Sequence, residues 1–148
     1  MSSLGTVIQI IWGLYSLVAL SEGLRQVVGK NNPYGICKKF HFIGAFVYVD
    51  AVIFGIFFIL VSAVTLFFHD FVLFLLAISV FWTIRSIGEQ MYWFMEQFAV
   101  HHKNPEHTLW FSKFFKRNSS WIAMQIYWQC ISVIAVITSV YFFVLWLS

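Results

Sequence analysis

Four ionisable residues stand within long apolar runs: Asp50, and then Arg85, Glu89 and Glu96 along one later stretch. Positions 85, 89, 92 and 96 step by four, three and four, so on a helix Arg85, Glu89, Tyr92 and Glu96 share a face. Ser86, Gln90, Trp93 and Gln97 form the adjoining row. A guanidinium beside carboxylates can hold an ion, a proton or a small polar ligand. Burial that raises a carboxyl pKa would add general acid–base work, although no substrate is implied. Inside a bilayer each unpaired charge costs at least about 2.5–3.5 kcal/mol, which makes such groups functional candidates by default. The spacing predicts that Arg85 bridges Glu89 on its own helix and Asp50 on the neighbouring one. Tyr92, Glu96, Gln125 and Gln129 would line the mouth of that site. The competing reading is structural, because polar groups also join membrane helices at about 0.6–2 kcal/mol per hydrogen bond.

Other chemistry is weaker. His41, His101, His102 and His107 cluster near loop regions with Glu96 and Glu106, and His101, His102, Glu106 and His107 are the metal-ligand candidates. Their spacing argues against a metal centre. His101 and His102 are adjacent and diverge, and no Glu-x-x-His pair of the di-iron kind occurs. No serine has a histidine and aspartate arranged for nucleophilic catalysis. Cys37 and Cys130 are far apart and no C-x-x-C pair exists, so thiol redox chemistry is not expected. No glycine-rich phosphate loop, internal repeat or low-complexity tract is present, and no cofactor is expected.

The elements that must position these residues are membrane helices. Of 148 residues, 61% are hydrophobic and 10% charged, against about 45–50% and about 25% in soluble domains. The mean hydropathy of +0.83 agrees. Disordered, coiled-coil, disulfide-scaffold and nucleic-acid-binding classes are excluded. A helix crosses a bilayer core in about 20 residues, and four stretches meet or approach that length. The expected fold is all-α: a polytopic four-transmembrane-helix bundle forming a single integral membrane domain over 1–148. Its helices are expected at about 4–28, 42–68, 71–100 and 119–147. The first is read as a retained span rather than a signal peptide, since Met1–Gly5 carries no Lys or Arg. Asn104-Pro105-Glu106 reads as a helix start, and aromatic residues then alternate with Lys113, Lys116 and Arg117. That pattern predicts a short interfacial helix at about 105–117 in the third loop.

Eight of the nine Lys and Arg residues fall in the segments after the first and third helices. The positive-inside rule then places loops 23–41 and 101–118 on the cytoplasmic or matrix side, with both termini outside. The membrane would be a prokaryotic plasma membrane or an organellar inner membrane. Counted from the His69-Asp70 turn at about 1.5 Å per residue, Asp50 and Glu89 both lie about 29 Å along their helices, and Arg85 about 23 Å. The sequence therefore predicts a pocket open to the cytoplasm that binds or passes an ion, proton or small polar ligand. The alternative is an accessory subunit of a larger membrane complex, and a membrane enzyme acting on a lipophilic substrate is third. Expected partners are the lipid bilayer and either further copies or other membrane subunits, with no nucleic acid.

Overall fold

The computed structural model describes residues 3–101, 103–104, 109–114 and 119–148. Four helices carry the chain: α1 over Ser3–Leu24, α2 over Tyr48–Phe67, α3 over Phe71–Glu96 and α4 over Ser119–Leu147. All four are long and apolar enough to cross a membrane, α1 together with the π-helical turn Arg25–Gly29 that extends it. Among the described residues the only extended pairing is an isolated bridge between Ile36 and Val47. The protein is thus all-helical, consistent with an integral membrane location. It divides into two compact units, Met1–Ala77 and Ile78–Ser148, and α3 runs through the boundary.

In the first unit α1 and α2 are antiparallel and meet through small residues. Gly5, Gln9, Ser16, Ala19 and Gly23 are buried on α1, and Ala51, Gly55, Phe58, Ser62 and Thr65 on α2. Small side chains let membrane helices approach closely and gain dispersion contacts that lipid alone would not supply. At Gly55 the approach is tight: a methyl there would lie 3.0 Å from both Leu20 N and Ser16 O. Near the other end Gln9 donates to Thr65 Oγ1 at 3.1 Å and to Asp70 O at 3.3 Å. Trp12 closes this layer edge-on against Phe58 and Phe74. Gln9 Oε1, Trp12 Nε1 and Ser62 Oγ are buried there without a hydrogen-bond partner among the described residues.

The turn from α2 to α3 is short because each helix end is satisfied locally. His69 takes a left-handed φ of 53°, and the backbone amides of His69 and Asp70 donate to Leu66 O and Thr65 O. Asp70 then caps α3, accepting the Leu73 amide at 2.9 Å.

Two helix limits differ from those read in the sequence. The apolar run from Phe42 to Val47 resembles the start of a span, but α2 begins only at Tyr48. Lys38–Ile43 form a 3-10 turn, and Gly44 leaves it with φ 72°, a left-handed conformation that breaks the helix. At the other limit α3 ends at Glu96, where the amides of Gln97, Phe98 and Ala99 bond three residues back. The expected interfacial helix falls largely outside the described residues. Its described part holds a 3-10 turn, Trp110–Lys113.

The segment between α1 and α2 is folded rather than extended. Cys37 N donates to Phe46 O, Ala45 N to Phe40 O, and Tyr48 N to Gly35 O. Cys37, Phe40, Ile43 and Ala45 are buried. Gly23 faces the start of α2, since a methyl on it would lie 3.1 Å from Tyr48 O. Tyr15 is eight residues earlier, about 12 Å along the helix. Yet its hydroxyl donates to Lys39 O at 2.6 Å, and its ring meets Phe40 at 5.6 Å. The loop therefore doubles back along α1. Phe40 and Ile43 are buried in the turn, so protein covers part of this irregular backbone.

Candidate functional site

The charged face expected on the third helix carries a formed ion pair. Arg85 Nη2 lies 2.8 Å from Glu89 Oε1, and the two side chains are 18% and 13% exposed. The spacing of four residues on one helix brings them together without backbone distortion. Trp93 Nε1, one turn further on, donates to Glu89 Oε2 at 3.2 Å. Both carboxylate oxygens of Glu89 are thus engaged, one by a charge and one by a neutral donor.

Toward the end of α3 the polar groups form a web. Glu96 is 4% exposed and accepts the Asn104 amide at 2.8 Å. The Asn104 side-chain amide donates to the Tyr92 hydroxyl, and Asn104 O accepts the Trp121 indole N–H at 3.0 Å. Tyr92 and Glu96 therefore hold the beginning of the third loop against α3, and Trp121 ties it to α4.

The row beside the charged face makes the helix–helix bonds. Ser86 and Trp93 are buried. Gln90 Nε2 donates to Trp128 O at 3.4 Å, and Gln97 Nε2 to Gln125 Oε1 at 2.7 Å. Thr83 and Ser139 join their hydroxyls at 3.2 Å. Gln125 thus belongs to this web, whereas Gln129 is exposed on α4 and joins none of these bonds.

Asp50 belongs to the first unit. It stands in the first turn of α2, where no side chain caps the helix at Val47, and its Oδ2 accepts the Phe46 amide at 3.2 Å. A carboxylate in the first turn also faces the positive end of the helix dipole. This position follows from the late start of α2. The apolar run alone puts Asp50 nearly two turns deeper into a helix than it stands.

Among the metal candidates, His101 is exposed, and His102, Glu106 and His107 lie outside the described residues. No three His, Cys, Asp or Glu residues gather closely enough to hold a metal among the described residues. Cys37 and Cys130 are both free thiols. Burial pushes the Cys37 thiol pKa up, which keeps it protonated and unreactive.

The doubled-back loop creates a site that sequence reasoning does not find. A cavity of about 240 Å³ opens between it and the end of α1, lined by Glu22, Ile36, Cys37, Lys38, Lys39, Phe40 and Tyr48. Glu22 is compensated from its own helix: Arg25 Nη2 reaches its carboxylate at 2.6 and 2.8 Å, and Gln26 Nε2 donates at 2.8 Å. Periodicity can place Glu22, Arg25 and Gln26 on one turn. It cannot foresee that residues 36–40 fold back over them, because that depends on Gly44 and on non-local backbone bonds.

The chain matches no known protein family, no curated protein and no solved structure.

Proposed function

We propose that this is a small integral membrane protein that binds or passes an ion, a proton or a small polar ligand. Its charged centre is Arg85 and Glu89, approached from the side of the two long loops. The observation that carries this reading is the Arg85–Glu89 pair, little exposed and midway along a helix otherwise suited to a bilayer. Charges at such depth are expensive, and functional use is the default account of their presence. Tyr92, Glu96, Gln97 and Gln125 support the reading by supplying polar groups between that pair and the loop end of α3.

The experiment reconstitutes the purified protein in liposomes and follows proton uptake with an entrapped pH dye under a potassium diffusion potential. Native mass spectra of the same preparation report any retained small molecule. Glu89→Gln is expected to abolish uptake or retention while leaving helical content unchanged. Unaltered uptake and retention in that variant would sink the assignment. A second reading, an accessory subunit of a larger complex, is favoured by α4. Val133, Ile134, Ile137, Val140, Tyr141, Val144 and Leu147 are each more than half exposed along its last four turns. Under that reading Arg85→Leu disperses the fold, and adding Glu89→Gln restores part of it.

A further inference from the structure

We infer that the cavity between α1 and the doubled-back loop is a binding site for the phosphate of an anionic phospholipid headgroup. The inference is independent of the Arg85–Glu89 reading, since every residue it uses lies in the first unit. Three charged residues stand among those lining the cavity. Glu22 is satisfied first by Arg25 and Gln26 and only at longer range by Lys39, whereas Lys38 and Lys39 are exposed and form no ion pair within 4 Å among the described residues. The net charge presented to a ligand is therefore positive. Ammonium groups on flexible stems suit a phosphate as point charges, without the fixed geometry of a guanidinium.

Size and surroundings narrow the ligand. About 240 Å³ is below the roughly 300–1,000 Å³ of pockets for drug-sized molecules, so it suits a headgroup rather than a nucleotide or a large cofactor. An exposed apolar side chain stands among its lining residues. Ile36 lines the cavity and is 72% exposed, and Phe42 in the same loop is 75% exposed. A lipid satisfies both features, with its phosphate beside Lys38 and Lys39 and its acyl chains along Ile36. Tyr48 at the first turn of α2 is also among the lining residues. The Lys39 carbonyl is held by Tyr15, which fixes the loop without engaging either ammonium.

The test measures lipid retention by native mass spectrometry of the whole detergent-purified protein, titrated with short-chain phosphatidylglycerol, phosphatidylcholine or inorganic phosphate. Phosphatidylglycerol is expected to bind in one-to-one stoichiometry. The double variant Lys38→Gln/Lys39→Gln is expected to weaken it roughly tenfold or more, since each cation near an anionic lipid contributes to attraction. Both side chains are exposed and the Tyr15 bond uses only backbone at 39, so folding is conserved and thermal melting should be unchanged. Lys38→Arg/Lys39→Arg should retain binding. Lys113→Gln, which removes an exposed cation from the other loop, should have no effect. Undiminished binding in the Gln double variant overturns the site, as does an equal loss in Lys113→Gln, which would mark diffuse surface attraction. Inorganic phosphate binding as tightly as the lipid overturns the lipid assignment.

Discussion

Single residues decide how charge is tolerated in this chain. Arg85 and Glu89 neutralise one another across 2.8 Å, and Trp93 occupies the second oxygen of Glu89. Their pairing is readable in the sequence because a spacing of four needs only a helix. The indole donor is not, since Trp93 reads equally well as packing. His41 shows the opposite situation. Partial desolvation of this exposed ring and, second, the neighbouring Lys38 hold its pKa below the ordinary 6.5, and the ring packs on Phe46 at 5.1 Å. A base whose folded pKa is depressed binds its proton more readily when unfolded. Its contribution to stability is therefore present above pH 6.5 and fades as pH falls below that value. Thermal unfolding in detergent should accordingly show a lower melting temperature at pH 5 than at pH 7.5. His41→Gln should remove most of that difference, and a difference of unchanged size in the variant would assign it to another group.

Among the elements, the α1–α2 hairpin owes its closeness to what its residues lack. Gly55→Ala would put a methyl 3.0 Å from two backbone atoms of α1, which must yield because they cannot rotate away. Overpacking of this kind costs about 1–3 kcal/mol. Gly88→Ala on α3 is the matched control: nothing lies within 4 Å of the added carbon, and the substitution should stabilise the helix by up to about 1 kcal/mol. Unfolding by denaturant in mixed micelles distinguishes them, and equal effects would refute close packing at Gly55. Four apolar runs of sufficient length make the helices legible in the sequence itself. The seam between α1 and α2 is legible in part: Ala19 and Gly23, and Ala51 and Gly55, each stand four apart in the small-xxx-small spacing of close helix pairs, but only the fold shows that these faces meet. The true start of α2 is not legible. Phe42 to Val47 are apolar whether they enter a helix or a turn, and one positive φ at Gly44 decides between the two.

For the whole molecule the strongest remaining expectation is topological. Cationic residues concentrate in the loops after α1 and α3, so both loops should face the cytoplasm of an expression host and the His69 turn the opposite side. Impermeant maleimide labelling tests this in a Cys130→Ser background, where the remaining Cys37 is buried. Intact cells should label His69→Cys and spare Lys30→Cys, and inverted vesicles should do the reverse. Labelling of both positions from one side would overturn the four-span arrangement. Composition alone supports the membrane reading, whereas the loop cavity became visible only with the backbone path of residues 30–47 in hand.

The bond between Gln9 and Thr65 joins residues 56 positions apart. During synthesis the amide of Gln9 therefore exists long before its partner does. An unpaired carboxamide facing hydrocarbon costs several kcal/mol. Of the four spans α1 is also the least apolar, and α2, which follows it, the most. The favourable order of events is that α1 waits in the polar environment of the insertion machinery until α2 has emerged. The two would then partition into lipid together, zipped along their small residues, so that insertion would begin with a hairpin rather than with a lone helix.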